Sequence, residues 1–202
     1  MSDSRGFSLI ELMVVVFIIA LLSMVALPSI TSYFQVSLNS ATREMASTVK
    51  ETYNATVITG RVHRIVYDFK AAKYWVEGGP ATALLDTSES REKEERRKKW
   101  AHFTDAAPQS PFAMDKTITR NKLSLPRGVD FEDIVTEQSA EPLTEGLGYT
   151  HFFPHGIAEQ TIIHLKDQSK HKVSLVISPI VGHTDLYERY LTRKELNAGS
   201  GH

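Results

Sequence analysis

The apolar residues of this chain are concentrated near its N-terminus. Residues 7–30 form the run FSLIELMVVVFIIALLSMVALPSI, in which Glu11 is the only charged residue. As an α-helix this run would span roughly 36 Å, enough to cross a hydrocarbon core of about 30 Å. It is too long for the apolar region of a secretory signal, and a core helix in a small domain is rarely apolar on every face. The pattern therefore predicts a membrane-spanning helix over residues 7–30.

The periodicity changes after this run. An apolar residue recurs every four positions, at Met45, Val49, Tyr53 and Val57, while charged residues occupy the other faces. This spacing predicts an amphipathic stalk helix over residues 31–60 that packs against a folded head. Gly60 is its predicted C-terminal stop.

Short β-rich runs follow, and together they predict a head over residues 61–202. Residues 62–69 and 73–77 predict a hairpin joined by Lys70-Ala71-Ala72. The later predicted strands are 117–125, 129–135, 149–153, 159–165, 172–177 and 182–187, with a turn at 167–170. One long helix followed by many strands predicts an α+β fold, in which the helix packs on an antiparallel sheet.

A charged excursion interrupts the predicted strands over residues 80–111. Residues 86–100 hold five acidic and six basic side chains, and several opposite charges are four residues apart, as in an exposed helix. Two interpretations stay open for this segment: an insertion that docks a partner, and a solvated helix or loop.

Composition and charge exclude several classes of protein. The 202 residues carry 23 basic and 24 acidic side chains, which is not the basic excess of a general nucleic-acid binder. The chain contains no cysteine, so disulfides, Cys-ligated metals and thiol catalysis are excluded. His151, His155 and Glu159 are the nearest approach to a metal-ligand spacing, but Pro154 interrupts any helix that would align them. We predict no metal, no cofactor and no catalytic residue. Four further histidines fall in or beside predicted strands, and we expect most of them to lie on polar strand faces: His63, His164, His171 and His183.

Glu11 is costly within an apolar helix, by about 2–3 kcal/mol at a bilayer centre, and so is a candidate functional residue. It is the fifth residue after Gly6, in the string Gly6-Phe7-Ser8-Leu9-Ile10-Glu11. This string, before a continuous apolar run, closely resembles the class III signal of type IV pilins and type II secretion pseudopilins. The simpler alternative is that Glu11 marks the edge of the membrane span.

The resemblance implies how the N-terminus is processed. Residues 1–6 would be a leader peptide, a prepilin peptidase would cut between Gly6 and Phe7, and the same enzyme would N-methylate Phe7. Glu11 would act in assembly. Pro28 also matches the family, at the position where its helices bend, because proline removes one helical hydrogen bond.

Several later segments occur in a fixed order after the helix: Thr59-Gly60-Arg61-Val62, Tyr67-Asp68-Phe69, Tyr74-Trp75-Val76, Phe153-Pro154-His155-Gly156 and Ser178-Pro179-Ile180-Val181-Gly182. This order resembles the H-type minor pseudopilins. This implies a subunit of a type II secretion system, held in the inner membrane by a single span with its N-terminus cytoplasmic and its head periplasmic. Its partners would be the prepilin peptidase, other major and minor pseudopilins, and the inner-membrane assembly platform. Two alternatives stay open: a minor pilin of a type IV pilus, including DNA uptake, and a membrane-tethered periplasmic enzyme. No nucleic-acid partner is expected under the first interpretation.

Overall fold

A computed structural model describes residues 8–81, 110–137, 139, 141–180 and 182–199, with the side chains of 24–35 and 199 excepted. The predicted charged run at 86–100 lies outside the described residues. Within them, one long helix precedes ten strands and a short C-terminal helix. The predicted α+β architecture, a long N-terminal helix packed on antiparallel sheet, is confirmed.

Helix α1 spans Leu9–Thr59 and ends where the sequence predicts. Gly60 adopts the left-handed conformation with φ 65°, and its amide donates to the carbonyl of Thr56 at 3.0 Å. Glycine accepts this conformation without the Cβ clash that other residues meet. The buried stripe of the second half differs slightly from the predicted one, because Val57 is 45% exposed. The stripe consists of Leu38, Ala41, Met45 and Val49.

The strands form two antiparallel sheets. Their bounds are β1 Val62–Asp68, β2 Lys73–Gly79, β3 Ala113–Met114, β4 Leu123–Ser124, β5 Val129–Thr136, β6 Leu147–Phe153, β7 Ile157–Ala158, β8 Thr161–Asp167, β9 Lys172–Ile177 and β10 Thr184–Tyr187. The first sheet has the order β3-β2-β1-β6-β7, with β4 also paired to β2. The second sheet has the order β10-β9-β8-β5. The predicted antiparallel strands of the head are thus divided between two sheets.

Most predicted strands are confirmed to within a few residues, including the β1–β2 hairpin. The predicted strand over 117–125 is wrong except at its end. At the start of this range, Asp115 accepts hydrogen bonds from both the backbone amide and the hydroxyl of Thr117, which holds the chain in a turn. Only Leu123–Ser124 pairs with β2.

The main core lies between α1 and the inner faces of both sheets. Alternate residues of each strand point into it, for example Ile163 and Leu165 of β8. The α1 stripe and these strand residues form one continuous cluster. The second half of α1 is therefore an integral part of the head.

The outer face of the second sheet is also covered. Ile162 and Val176 pack against Leu191, which belongs to the segment after β10. Helix α2, Arg193–Gly199, follows and places Leu196 against the same cluster. Thr192 and Glu195 exchange hydrogen bonds at the start of α2, as in a capping box. We call residues 188–199 the C-terminal strap.

Candidate functional site

The first turns of α1 expose an apolar surface on every side. Between Leu9 and Leu22 the large apolar side chains are 43–77% exposed. An exposed apolar surface of this extent marks a contact with a membrane or with other protein chains. Because the apolar residues surround the helix, the partner must surround it as well.

Glu11 is the charged residue of this segment. It lies in the first turn of α1, where a negative charge is favoured by the helix dipole, and it is exposed. The helix begins after Ser8, whose side chain makes no capping hydrogen bond. Its neighbours Ile10 and Leu12 are 70% and 61% exposed. A partner that covers this apolar surface therefore also desolvates the Glu11 carboxylate, and a cation supplied by that partner would offset part of the cost.

The other residues predicted at the N-terminus are placed only in part. Gly6 and Phe7 lie outside the described residues, so cleavage between them stays a prediction. Pro28 falls within the range of α1, but its side chain is not among those described, and the predicted bend also stays a prediction. Over the part of the chain that is described, no helix is long and apolar enough to cross a membrane.

A buried polar cluster joins β5, β8 and the C-terminal strap. Nδ1 of His164 lies 2.6 Å from Oδ1 of Asp133, and Nε2 lies 3.0 Å from the carbonyl oxygen of Leu191. Tyr190 stacks on the His164 ring at 3.9 Å and donates its hydroxyl to Oδ2 of Asp133 at 3.0 Å. Burial, followed by the charge of Asp133, raises the pKa of Tyr190 to about 12. The prediction that His164 lies on a polar strand face is wrong, because it is fully buried.

His164 and Asp133 are paired as in a catalytic dyad, but the contacts around them connect parts of the fold. Both ring nitrogens of His164 are engaged, one by a carboxylate and one by a backbone carbonyl. A general base needs a free nitrogen within hydrogen-bond reach of a reacting group. The cluster therefore fastens the C-terminal strap to the second sheet. Ser174 adds to this attachment, since its hydroxyl bonds to the carbonyl of Arg189 and the amide of Leu191.

A second buried histidine ties the end of α1 to the first sheet. Nδ1 of His63 lies 2.9 Å from the Thr56 hydroxyl, and Nε2 lies 3.3 Å from Asp115. Burial lowers the pKa of His63, and the Asp115 carboxylate opposes this only in part. Burial alone would raise the pKa of Asp115, but hydrogen bonds from Thr117 and His63 bring it below its usual value. His63 was also predicted on a polar face, and that prediction is wrong.

The residues with metal-ligand spacing are brought together only in part. Nδ1 of His151 lies 2.8 Å from Glu159, and both are buried, whereas His155 is exposed in the turn after β6. Glu159 also accepts from the backbone amide of His151 at 3.2 Å. Among the described residues, no three side chains of metal-ligating type converge on one point.

The buried histidine pairs could not be found from the sequence alone. Asp133 and His164 are 31 residues apart, and their contact depends on the register of β5 against β8. A bulge between Phe131 and Asp133 shifts that register and turns the Asp133 side chain toward His164. A strand pattern gives no signal for such a bulge.

Comparison with known proteins gives one match by sequence family. Residues 1–27 match the family described as the prokaryotic N-terminal methylation motif. This confirms the predicted type of N-terminal signal. Among curated proteins, none matches the chain significantly.

Solved structures give two further likenesses. One is a structure of the minor pseudopilin EpsH from the type 2 secretion system of Vibrio cholerae, with 8% identity, a TM-score of 0.46, and coverage of 75% of this chain and 97% of that chain. The other, a crystal structure of the same Vibrio cholerae protein, has 8% identity, a TM-score of 0.49, and coverage of 77% and 96%. Both TM-scores are below 0.5, so these likenesses do not by themselves establish a common fold.

Proposed function

We propose that this chain is a minor pseudopilin of a type II secretion system, a structural subunit without catalytic activity. The observation that carries the proposal is the exposed apolar start of α1, with Glu11 in its first turn, inside a match to the N-terminal methylation motif. The continuous helix joins this segment to a folded α+β head. A subunit of this kind is held in the inner membrane before assembly and in a periplasmic filament after it.

Processing would create a cation that can pair with the Glu11 carboxylate. Cleavage between Gly6 and Phe7 frees an α-amine, which methylation leaves basic. An α-amine has a pKa near 8 and is largely cationic at neutral pH. When apolar helices pack side by side, this cation of one subunit reaches the Glu11 carboxylate of its neighbour. Pairing offsets part of the desolvation cost of both charges, so it favours the assembled state.

The partners follow from this role. The prepilin peptidase acts on Gly6 and Phe7, the inner-membrane platform extracts the subunit, and other pseudopilins pack against the apolar segment. The head carries no cysteine, so it lacks the C-terminal disulfide loop that many type IV pilins have. This favours the secretion system over a type IV pilus.

The test is the replacement Glu11→Leu in cells with an active secretion system. Insertion and cleavage should persist, because the span becomes more apolar and the cut lies upstream. Incorporation should fall by about tenfold or more, because breaking one side of a desolvated pair costs a few kcal/mol. The measurements are crosslinking to sibling subunits, secretion, and the mass of the mature N-terminus.

Two controls keep this test specific. Ile18→Leu alters the same apolar segment without changing charge and should behave as the wild type. Glu11→Gln keeps a polar side chain of similar size and should fail as Glu11→Leu does, because its uncharged amide does not offset the positive charge of the amine. Wild-type incorporation and secretion by both Glu11 variants would show that the residue only marks a boundary, and the proposed role would be rejected.

A further inference from the structure

Three connections of the chain meet at the end of the head that lies farthest from the start of α1. β1 leaves the end of α1 and runs back along the helix. Because β6 is antiparallel to β1, the turn after β6 lies at the same end as the last turn of α1. β7 follows that turn, and its Ile157 forms a bridge with Ile180, in the connection from β9 to β10. We call this end of the head the distal end.

Aliphatic side chains are exposed at the distal end. Four of them are 45–81% exposed, and we call these four the distal patch: Val57, Ile58, Ile157 and Ile180. Tyr53 connects their positions, since its hydroxyl donates to the carbonyl of Gly156 at 3.4 Å and its ring lies against Gly182. Val57 is one helical turn beyond Tyr53, so the two loop residues of the patch lie beside the last turn of α1.

The chain segments that carry the distal patch contain no acidic residue. These segments are 53–61, 153–158 and 178–180, and their charged or titratable side chains are the exposed Arg61 and His155, with Tyr53. The next acids along the chain already have partners within the molecule: Glu51, Glu159 and Asp185. An apolar helix that carries a single carboxylate therefore meets no like charge on these segments.

The distal patch is too small to hold a partner by itself. Four partly exposed aliphatic side chains offer a few hundred Å², whereas a stable interface buries about 800 Å² of each partner. Its occupant must therefore be held by further contacts elsewhere, as the neighbouring subunits of one assembly are. This step rests on the proposed function, in which the apolar start of α1, residues 9–22, supplies those further contacts.

The apolar start of a neighbouring subunit matches the distal patch. This segment is apolar on every side, and Glu11 is its one charged residue. A continuous helix of roughly 52 Å separates Leu22 from Val57, so a molecule cannot cover its own patch. Subunits inserted in one membrane have parallel α1 helices, and a neighbour displaced by roughly 50–70 Å along the axis brings its apolar start level with the patch. We infer that the distal patch docks on the apolar start of a pseudopilin further along the filament.

Site-specific photocrosslinking tests this contact with the full chain in cells that have an active secretion system. The photoreactive residue p-benzoylphenylalanine replaces Ile180 or, in a second variant, Ile58, and mass spectrometry locates the adducts. We expect adducts within the N-terminal apolar helix of another pseudopilin. The same probe at Lys70, exposed in the turn between β1 and β2 at the opposite end of the head, is the matched control and should react elsewhere. Adducts of both patch variants that lie only in other heads would overturn the inference.

Substitution of the patch provides the second arm. Ile58→Glu with Ile180→Glu should lower incorporation by about tenfold, because two carboxylates would be desolvated in the contact. Ile58→Leu with Ile180→Leu keeps the surface apolar and should behave as the wild type. Thermal unfolding of all these variants should match the wild type, because both side chains are exposed.

Sibling crosslinking and secretion report incorporation separately from the photoadducts. A subunit that is incorporated normally and yields no adduct with an apolar helix would refute the docking and leave the proposed function intact. A subunit that is never incorporated would refute both. Wild-type incorporation of the double glutamate variant would also contradict the docking.

Discussion

The hydroxyl oxygen of Thr56, near the end of α1, lies 2.9 Å from Nδ1 of His63 at the start of β1. The Thr56 hydroxyl donates its proton to the carbonyl of Thr52, 2.7 Å away, so its oxygen is left to accept from the His63 ring. Burial of this ring lowers its pKa more than its hydrogen bonds raise it. The buried junction between helix and sheet thus favours the neutral histidine.

This preference predicts how stability depends on pH. Folding lowers the pKa of His63 below 6.5, so the unfolded chain takes up a proton first as the pH falls. The free energy of unfolding should be level above about pH 6.5, decrease as the pH drops from there, and level off below the folded pKa. Urea unfolding between about pH 7.5 and about pH 5.5 measures this slope. The variant His63→Gln should lack it, and an equal slope in that variant would locate the effect elsewhere.

The strap attachment gives a second prediction. Asp133→Asn removes the charge that pairs with His164 in the buried cluster, which should lower the free energy of unfolding by about 3 kcal/mol. Tyr190→Phe removes a single hydrogen bond to the same carboxylate and should cost about 1 kcal/mol. Urea unfolding compares the two variants. Equal and small effects would mean that the cluster does not hold the strap.

Two glycines with left-handed backbone allow a matched comparison. Gly182 has φ 57°, and a Cβ there would lie 2.6 Å from the Tyr53 ring, whereas Gly60 has φ 65° and open space around it. Gly60→Ala should cost about 1 kcal/mol from the backbone alone. Gly182→Ala should cost about 2 kcal/mol more, because the ring must move. Thermal unfolding measures the difference, and equal losses would show that Tyr53 shifts freely.

The N-terminal signal gives a prediction that needs no folded head. Gly6→Leu places a bulky side chain next to the scissile bond, so the leader should stay attached in a host with an active prepilin peptidase. Mass spectrometry of the N-terminus distinguishes the two forms. As a control, Ser4→Ala alters the leader away from the bond and should be processed. A chain that begins at Met1 without any replacement would refute the proposed cleavage site.

The sequence was sufficient for features that depend on local periodicity. The stop at Gly60 follows from the conformational freedom of glycine, and the β1–β2 hairpin follows from two β-rich runs joined by three residues. The apolar start of α1 and the position of Glu11 follow from counting along the chain. In each case neighbouring residues carry the whole signal.

Features that join distant segments were not predictable. The burial of His63 and His164 depends on Asp115 and Asp133, which are brought near by sheet register. The second sheet has two covered faces because the strap returns over it, and nothing in the run of β8 indicates this. The short strand at Leu123–Ser124 shows the converse, since the propensity of residues 117–125 for strand is overridden by the turn at Asp115.

The continuity of α1 has a consequence for angular phase. Glu11 and the core residue Met45 belong to a single helix, so the number of residues between them fixes the direction in which Glu11 points relative to the head. Each residue advances a helix by about 100°, so one residue added between Glu11 and Leu38 would turn Glu11 by that angle relative to the core residues of the head. The residue count of α1 therefore sets the rotational position of the Glu11 carboxylate relative to the two sheets of the head.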